Sequence, residues 1–208
     1  MLITWHGQGA VQLKLKDATV LIDPYNKDSG LVAMRKPFNA ILLAHGAKDR
    51  DNIKSIKEPG VVIESAGEYE VGEIGIEGHE SNFEKPEDSK QVIYTIHAED
   101  LNICHLADLD HELSDKQIDA IGDVDILFIP VGGKDMLDGD KAAAVVSEIE
   151  PRMVVPIYYK IPGVKDAIAD EKKFLKALGG PTRTESSLSL KKSALPAGDM
   201  EIVVLQKS

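Results

Sequence analysis

At 208 residues, 43% of them hydrophobic, the chain can bury a full core, and with no Pro/Gly/Ser-rich linker or composition break it reads as one domain over 1–208. Its 24 basic and 35 acidic residues give a formal charge of −11, which disfavours nucleic acid and anionic membranes as partners. Cys104 is the only cysteine, so an intrachain disulfide or a cysteine-rich zinc site is excluded; the start M-L-I-T-W-H-G-Q-G lacks a signal-peptide pattern, no run nears the roughly 20 apolar residues that cross a bilayer, and a cytoplasmic protein is expected.

Short β-type runs crowd the first half: Leu2 to Trp5, Val11 to Lys16, Thr19 to Asp23, Ala40 to Ala44, Val61 to Glu64 and Ile74 to Glu77. Between them, Asp49 and Asp51 are placed to cap a short helix starting near Asn52, and Glu68 and Tyr69 to fix a turn. Val92 to His97 and Leu101 to Leu106 read as a hairpin joined by the polar turn Ala98-Glu99-Asp100. Ser114 then starts a helix as S-D-K-Q, with Gln117 placed to return the cap bond and Gly122 to end it. The pattern becomes βαβ-like: a strand at Asp125 to Val131, a helix at Lys141 to Ile149, and a strand at Met153 to Tyr158. Asp170 caps a last helix to Leu178, closed by Gly179-Gly180, and Glu201 to Gln206 reads as a final strand. Consecutive strands followed by alternating strands and helices point to two packed sheets with helices outside, a four-layer α/β sandwich.

Seven spans in order, I-T-W-H-G-Q-G (3–9), V-L-I-D-P-Y (20–25), A-H-G-A-K-D-R (44–50), G-E-Y-E-V (67–71), H-L-A-D-L-D-H-E-L-S (105–114), V-D-I-L-F-I-P-V-G-G (124–133) and P-I-Y-Y-K (156–160), resemble the metallo-β-lactamase fold. Within it they are similar to the small Zn-dependent hydrolases related to L-ascorbate-6-phosphate lactonase. The resemblance implies an αββα sandwich with metal ions at one edge of its two sheets. It also implies a signature H-x-H-x-D-H, of which His45 and Asp49 stand here while the other two histidines fall on Ala47 and Arg50. The next family ligand falls on Phe83, or on His79 after a small shift; the bridging aspartate matches Asp108; the final histidine lands on Tyr158; and Gln8 replaces the histidine of W-x-G-H.

A catalytic zinc keeps about three protein ligands plus water, and the surviving set of His45, Asp49 and Asp108 is divided between two metal positions. Arg50 would add a fixed charge about 5 Å from a dication, costing several kcal/mol at an effective dielectric of about 20. Without metal, Asp49 and Asp108 need another cation, and Arg50, or Lys48 as second choice, is expected to supply it. His6, His105 and His111 read as hydrogen-bonded structural histidines.

Three readings stay open. The first is a pseudoenzyme of this fold that has lost its dinuclear site and binds a small molecule or a protein partner, with no metal cofactor. The second is a hydrolase of phosphorylated or lactone-like molecules with an altered single zinc or manganese site drawn from His45, Asp49, Asp108 and His79. The third is a metal-free enzyme or binder using the old cleft, with His45, Asp49, Asp108 and Tyr158 as candidate catalytic groups. A homo-oligomer is expected by analogy with the family.

Overall fold

The computed structural model describes residues 1–81 and 91–208. In chain order the strands are β1 (Leu2–Gly7), β2 (Ala10–Lys14), β3 (Thr19–Ile22), β4 (Ala40–Leu42), β5 (Val61–Ile63), β6 (Gly67–Val71), β7 (Ile74–Glu80), β8 (Val92–Ala98) and β9 (Leu101–His105). Then come α1 (Asp115–Ile121), β10 (Ile126–Pro130), α2 (Gly139–Ile149), β11 (Met153–Ile157), α3 (Lys172–Leu178), β12 (Thr182–Glu185), β13 (Leu188–Ser189) and β14 (Glu201–Leu205).

These strands form two mixed sheets, ordered β13-β1-β2-β3-β4-β5 and β12-β14-β11-β10-β9-β8-β7-β6. In the smaller sheet β1, β2 and β3 are antiparallel while β3, β4 and β5 run parallel. In the larger sheet the β6-to-β9 meander is antiparallel, and β9, β10, β11, β14 and β12 are parallel. The strands of both sheets contribute to one core, where Trp5, Leu13, Ile76, Tyr94 and Phe128 are almost fully enclosed. This is the sandwich that the sequence pattern anticipates.

The hydrophobic runs explain the parallel strands. β10 and β11 are buried at every position, as expected of strands covered on both faces. α2 adds Ala142, Val145, Val146 and Ile149 to the core, and α3 adds Phe174. Over the smaller sheet, Leu21, Ile41 and Leu43 pack with Phe38 and Ile56 from the connections instead of with an α-helix.

Three sequence expectations change. G-E-Y-E-V is itself the edge strand β6 paired with β7, because alternation carries Tyr69 toward the core while Glu68 and Glu70 stay exposed, and only Tyr69 fixes the preceding turn, its hydroxyl 2.8 Å from Ser65 Oγ. The short helix is a 3-10 run over Gly46–Ile53, and Asp49 does not cap it forward: its Oδ2 accepts from the backbone N of His45, 2.8 Å away. β12 and β13, short and polar, carried no readable pattern. At α1, Gln117 does return the cap bond, its side-chain oxygen accepting from the Ser114 backbone N at 2.9 Å.

Candidate functional site

Parallel strands place the chemistry. β3, β4, β9, β10 and β11 all end at one edge of the sandwich, where ligand sites of open α/β sheets form. Asp23 follows β3, His45 follows β4, Asp108 follows β9, Lys134 and Asp135 follow β10, and Tyr158 follows β11. Together with Gln8, Asn52 and Asp166 they line a cavity of about 250 Å³.

Backbone strain concentrates here. Gln8, Asp23, Lys134 and Tyr158 all line the cavity with φ between 48° and 67°, and Ala107, next to Asp108, has φ of 52°. A bulky residue in the left-handed region is costly, and such outliers persist where the surroundings over-determine them, typically at functional sites. Gly9 permits the closest approach: a Cβ there would lie 1.9 Å from Asp23 Oδ2 and 2.6 Å from Tyr158 Cε2. Buried His105 fixes that glycine, its Nε2 donating to the Gly9 carbonyl at 2.9 Å while Nδ1 accepts from the Ala107 N–H at 3.1 Å. Burial pushes its pKa down to about 4, so the ring is a neutral structural histidine, as the sequence suggests.

At the centre, His45 lies between two aspartates. Its Nδ1 is 3.3 Å from Asp49 Oδ2 and its Nε2 is 3.1 Å from Asp108 Oδ1. Hydrogen bonds to Asp108 and then Asp49 outweigh desolvation and push its pKa up to about 11, so the ring is a cation at neutral pH. Asp108 Oδ1 also accepts from Gln91 Nε2 at 2.6 Å, and Gln91 is itself held by Ser81 Oγ at 2.8 Å. Asp23 is 4% exposed and accepts from the Tyr158 hydroxyl at 2.9 Å. Burial, then the charges of Asp108 and Asp49, push its carboxyl up to about 7.

The sequence-derived candidates therefore divide. His45, Asp49, Asp108 and Tyr158 converge in the cavity. His79 does not: β7 aims it at the face of the larger sheet, where its Nε2 meets Thr95 Oγ1 at 3.0 Å. Phe83 and the side chains of Ala47 and Lys48 lie outside the described residues. Arg50 corrects an expectation. Its side chain is 62% exposed and clasps Glu64 with two donors, Nε to Oε2 at 2.7 Å and Nη2 to Oε1. It points away because the half-buried Glu64 carboxylate just after β5 is within reach, while His45 already occupies the space between the aspartates. Asp23 was read only as a strand end; the signal was an acid closing the buried run V-L-I. Gln91 and Asp166, which accepts from Gln8 Nε2 at 2.7 Å, carried no signal.

The donor chemistry can be tested against a metal. A dinuclear zinc centre does not fit: His45 is the only histidine among the described residues lining the cavity, and both its nitrogens are committed to carboxylates. For one ion, Asp23, His45 and Asp49 each offer a ligand atom, all within 4.8 Å of one another. That oxygen-rich set suits a harder cation better than zinc.

Residues 2–158 match the family model of the β-lactamase superfamily domain. A UPF0173 metal-dependent hydrolase of Lysinibacillus sphaericus is 28% identical over 193 residues, covering 76% of this chain and 85% of its own length. A UPF0173 protein of Pyrococcus abyssi is 27% identical over 186 residues, covering 76% and 83%. Among solved structures, a candidate Zn-dependent hydrolase of the metallo-β-lactamase superfamily from Thermotoga maritima superposes with a TM-score of 0.82 at 25% identity, covering 99% of this chain and 100% of that one. With the paired sheets, the edge site and the match over 2–158, the chain belongs to the metallo-β-lactamase superfamily, among relatives described as metal-dependent hydrolases.

Proposed function

We propose that this chain is a pseudoenzyme of the superfamily, in which a protonated histidine stands where hydrolase relatives hold metal, and that the remaining cavity binds a small ligand. The observation that carries the reading is the His45 ring, with one nitrogen on Asp49 and the other on Asp108. It supplies the cation those carboxylates need, which the sequence had assigned to Arg50.

The cavity favours one ligand class. Asp23, Asp49, Asp108, Asp135 and Asp166 line it against His45 and Lys134, so carboxylates outnumber cations. Without metal such a pocket repels phosphates and carboxylates and favours a small ligand with a positive charge or several hydrogen-bond donors, such as an amine or a polyol.

The test is elemental analysis of untagged protein after incubation with zinc and with manganese, alongside thermal melts with each ion, with a chelator, and with panels of amines, polyols and phosphates. The reading expects no retained ion in the cavity, no loss of stability in chelator, and melting points raised by members of the first two panels, since a ligand selective for the folded state stabilises it. Two ions per chain and a melt lowered by chelator would refute it.

A second reading has its own observation, the grouping of Asp23, His45 and Asp49 within 4.8 Å. In a hydrolase with one ion, these three would hold it, and the ion would supply a Lewis acid and an activated water. Manganese at one per chain, lost on Asp49→Asn, would favour that reading.

A further inference from the structure

A second pocket, of about 500 Å³, opens on the outer face of the smaller sheet. Trp5, Val11 and Leu13 turn into the core, so His6 and Gln12 beside them point outward and line this pocket, with His6 Nε2 3.2 Å from Gln12 Oε1. The connection from β3 to β4 supplies a wall through Val32, Met34, Arg35 and Lys36, and Lys207, just beyond β14, supplies another. The pocket shares only Tyr25 with the candidate cavity among their lining residues.

The connection is held by its backbone. The carbonyl of Val32 accepts from the Tyr25 hydroxyl at 2.7 Å, that of Met34 from Ser55 Oγ at 2.9 Å, and that of Arg35 from the Lys57 backbone N at 3.4 Å. A wall fixed in this way loses little freedom when a ligand arrives. Its side chains are left uncommitted: Val32 is 85% exposed, and neither Arg35 nor Lys36 makes a side-chain hydrogen bond or ion pair among the described residues. Lys207 Nζ donates to the Ser208 oxygen at 3.2 Å. Burial lowers the pKa of His6 and the charges of Lys36 and Lys207 lower it further, which places both cations near that ring.

The charge is the reverse of the chain's own. In a protein of net charge −11, this pocket gathers Arg35, Lys36 and Lys207, and no Asp or Glu side chain is among the described residues that line it. Cations that face one another without acidic partners attract an anion, and a guanidinium can clasp two oxygens of a carboxylate or phosphate. Val32, Met34 and Phe38 add apolar surface beside them. The volume falls within the range of about 300–1,000 Å³ usual for small-molecule sites. We propose that this pocket is a second ligand site, separate from the cavity, for a small amphipathic anion: a carboxylate or phosphate head on Arg35, Lys36 and Lys207, with an apolar body against Val32 and Met34.

The experiment titrates octanoate and octyl phosphate into the full chain by calorimetry, with octylamine and inorganic phosphate as controls for charge and for the apolar body. At least one of the two octyl anions should bind at one per chain, more tightly than either control, and the stronger of them identifies the head group. Affinity should fall by about tenfold in Arg35→Glu or Lys36→Glu, because reversal exchanges a surface attraction for a repulsion of similar size. It should fall several-fold in Val32→Ser and stay unchanged in Lys116→Glu, which alters net charge equally from α1. All four positions are exposed, so the fold should survive each change. Backbone NMR signals of residues 32–36 should move with the ligand. No binding of either octyl anion, equal binding of octylamine, affinity indifferent to Arg35→Glu and Lys36→Glu, or signals moving only around Asp23 and His45 would overturn the proposal.

Discussion

Replacing His45 by glutamine removes the cation between Asp49 and Asp108 and leaves two carboxylates turned toward one neutral amide. Breaking a fully buried ion pair by removing one partner costs about 3–5 kcal/mol, whereas a surface pair is worth about 0–1. Here the three side chains are 31%, 16% and 29% exposed, between those limits. A loss of about 2–3 kcal/mol is therefore expected, which in a chain of this size lowers Tm by roughly 4–12 °C. The assay is thermal and urea unfolding of His45→Gln and the parent at pH 7 in chelator, with His45→Gln combined with Asp108→Asn closing a double-mutant cycle. The double variant should recover part of the loss, because it also removes one of the facing charges. The pH dependence has a definite sign. A folded pKa of about 11 against 6.5 means that the stabilisation is complete below about 6.5 and is lost as pH rises toward 11, so parent and variant should converge over that range. If His45→Gln melts with the parent in chelator, while chelator alone has already lowered the parent, the cation is a metal and the reasoning fails.

Asp23 titrates in the same direction from a different cause. Its carboxyl is raised from 3.8 to about 7, so its contribution is greatest below about 3.8 and is lost by about pH 7; Asp23→Asn, which still accepts from Tyr158, should match or exceed the parent in urea stability at pH 8. Gly9→Ala should cost about 1–3 kcal/mol and weaken ligand binding in the cavity, read by the same melts, because its Cβ would overlap Asp23 and Tyr158. Arg50→Ala should change stability by no more than about 1 kcal/mol and leave the cavity unaffected, since its partner is the surface carboxylate of Glu64.

The fold was legible because hydrophobic periodicity and ordered motifs are properties of the chain itself. The runs at β3 and β4 read as strands and those at β10 and β11 as buried strands, and their ends set the positions of Asp23, His45, Lys134 and Tyr158. Which side chains meet was less legible, because it depends on directions that sequence spacing does not encode. Arg50 was close enough in sequence to serve Asp49, but its side chain leaves the 3-10 run toward Glu64. His79 was close enough in sequence to replace Phe83 as a ligand, but strand alternation turns it to the outer face beside Glu77 and Thr95. What the resemblance implies, substitution of the family's histidines at Ala47, Arg50 and Tyr158, was legible in the sequence. That His45 answers the remaining charge was not, since a ring nitrogen bonded to an aspartate four residues away and another bonded 63 positions downstream emerges only when β4 and β9 end at one edge.

The most direct test of the account is a long-range proton–nitrogen NMR spectrum of the imidazole rings at pH 9, recorded in chelator and again with excess zinc. Both ring nitrogens of His45 should stay protonated, and zinc should leave them unchanged. A His45 ring with one unprotonated nitrogen that shifts on adding zinc would contradict it and return the site to the metal-dependent hydrolases.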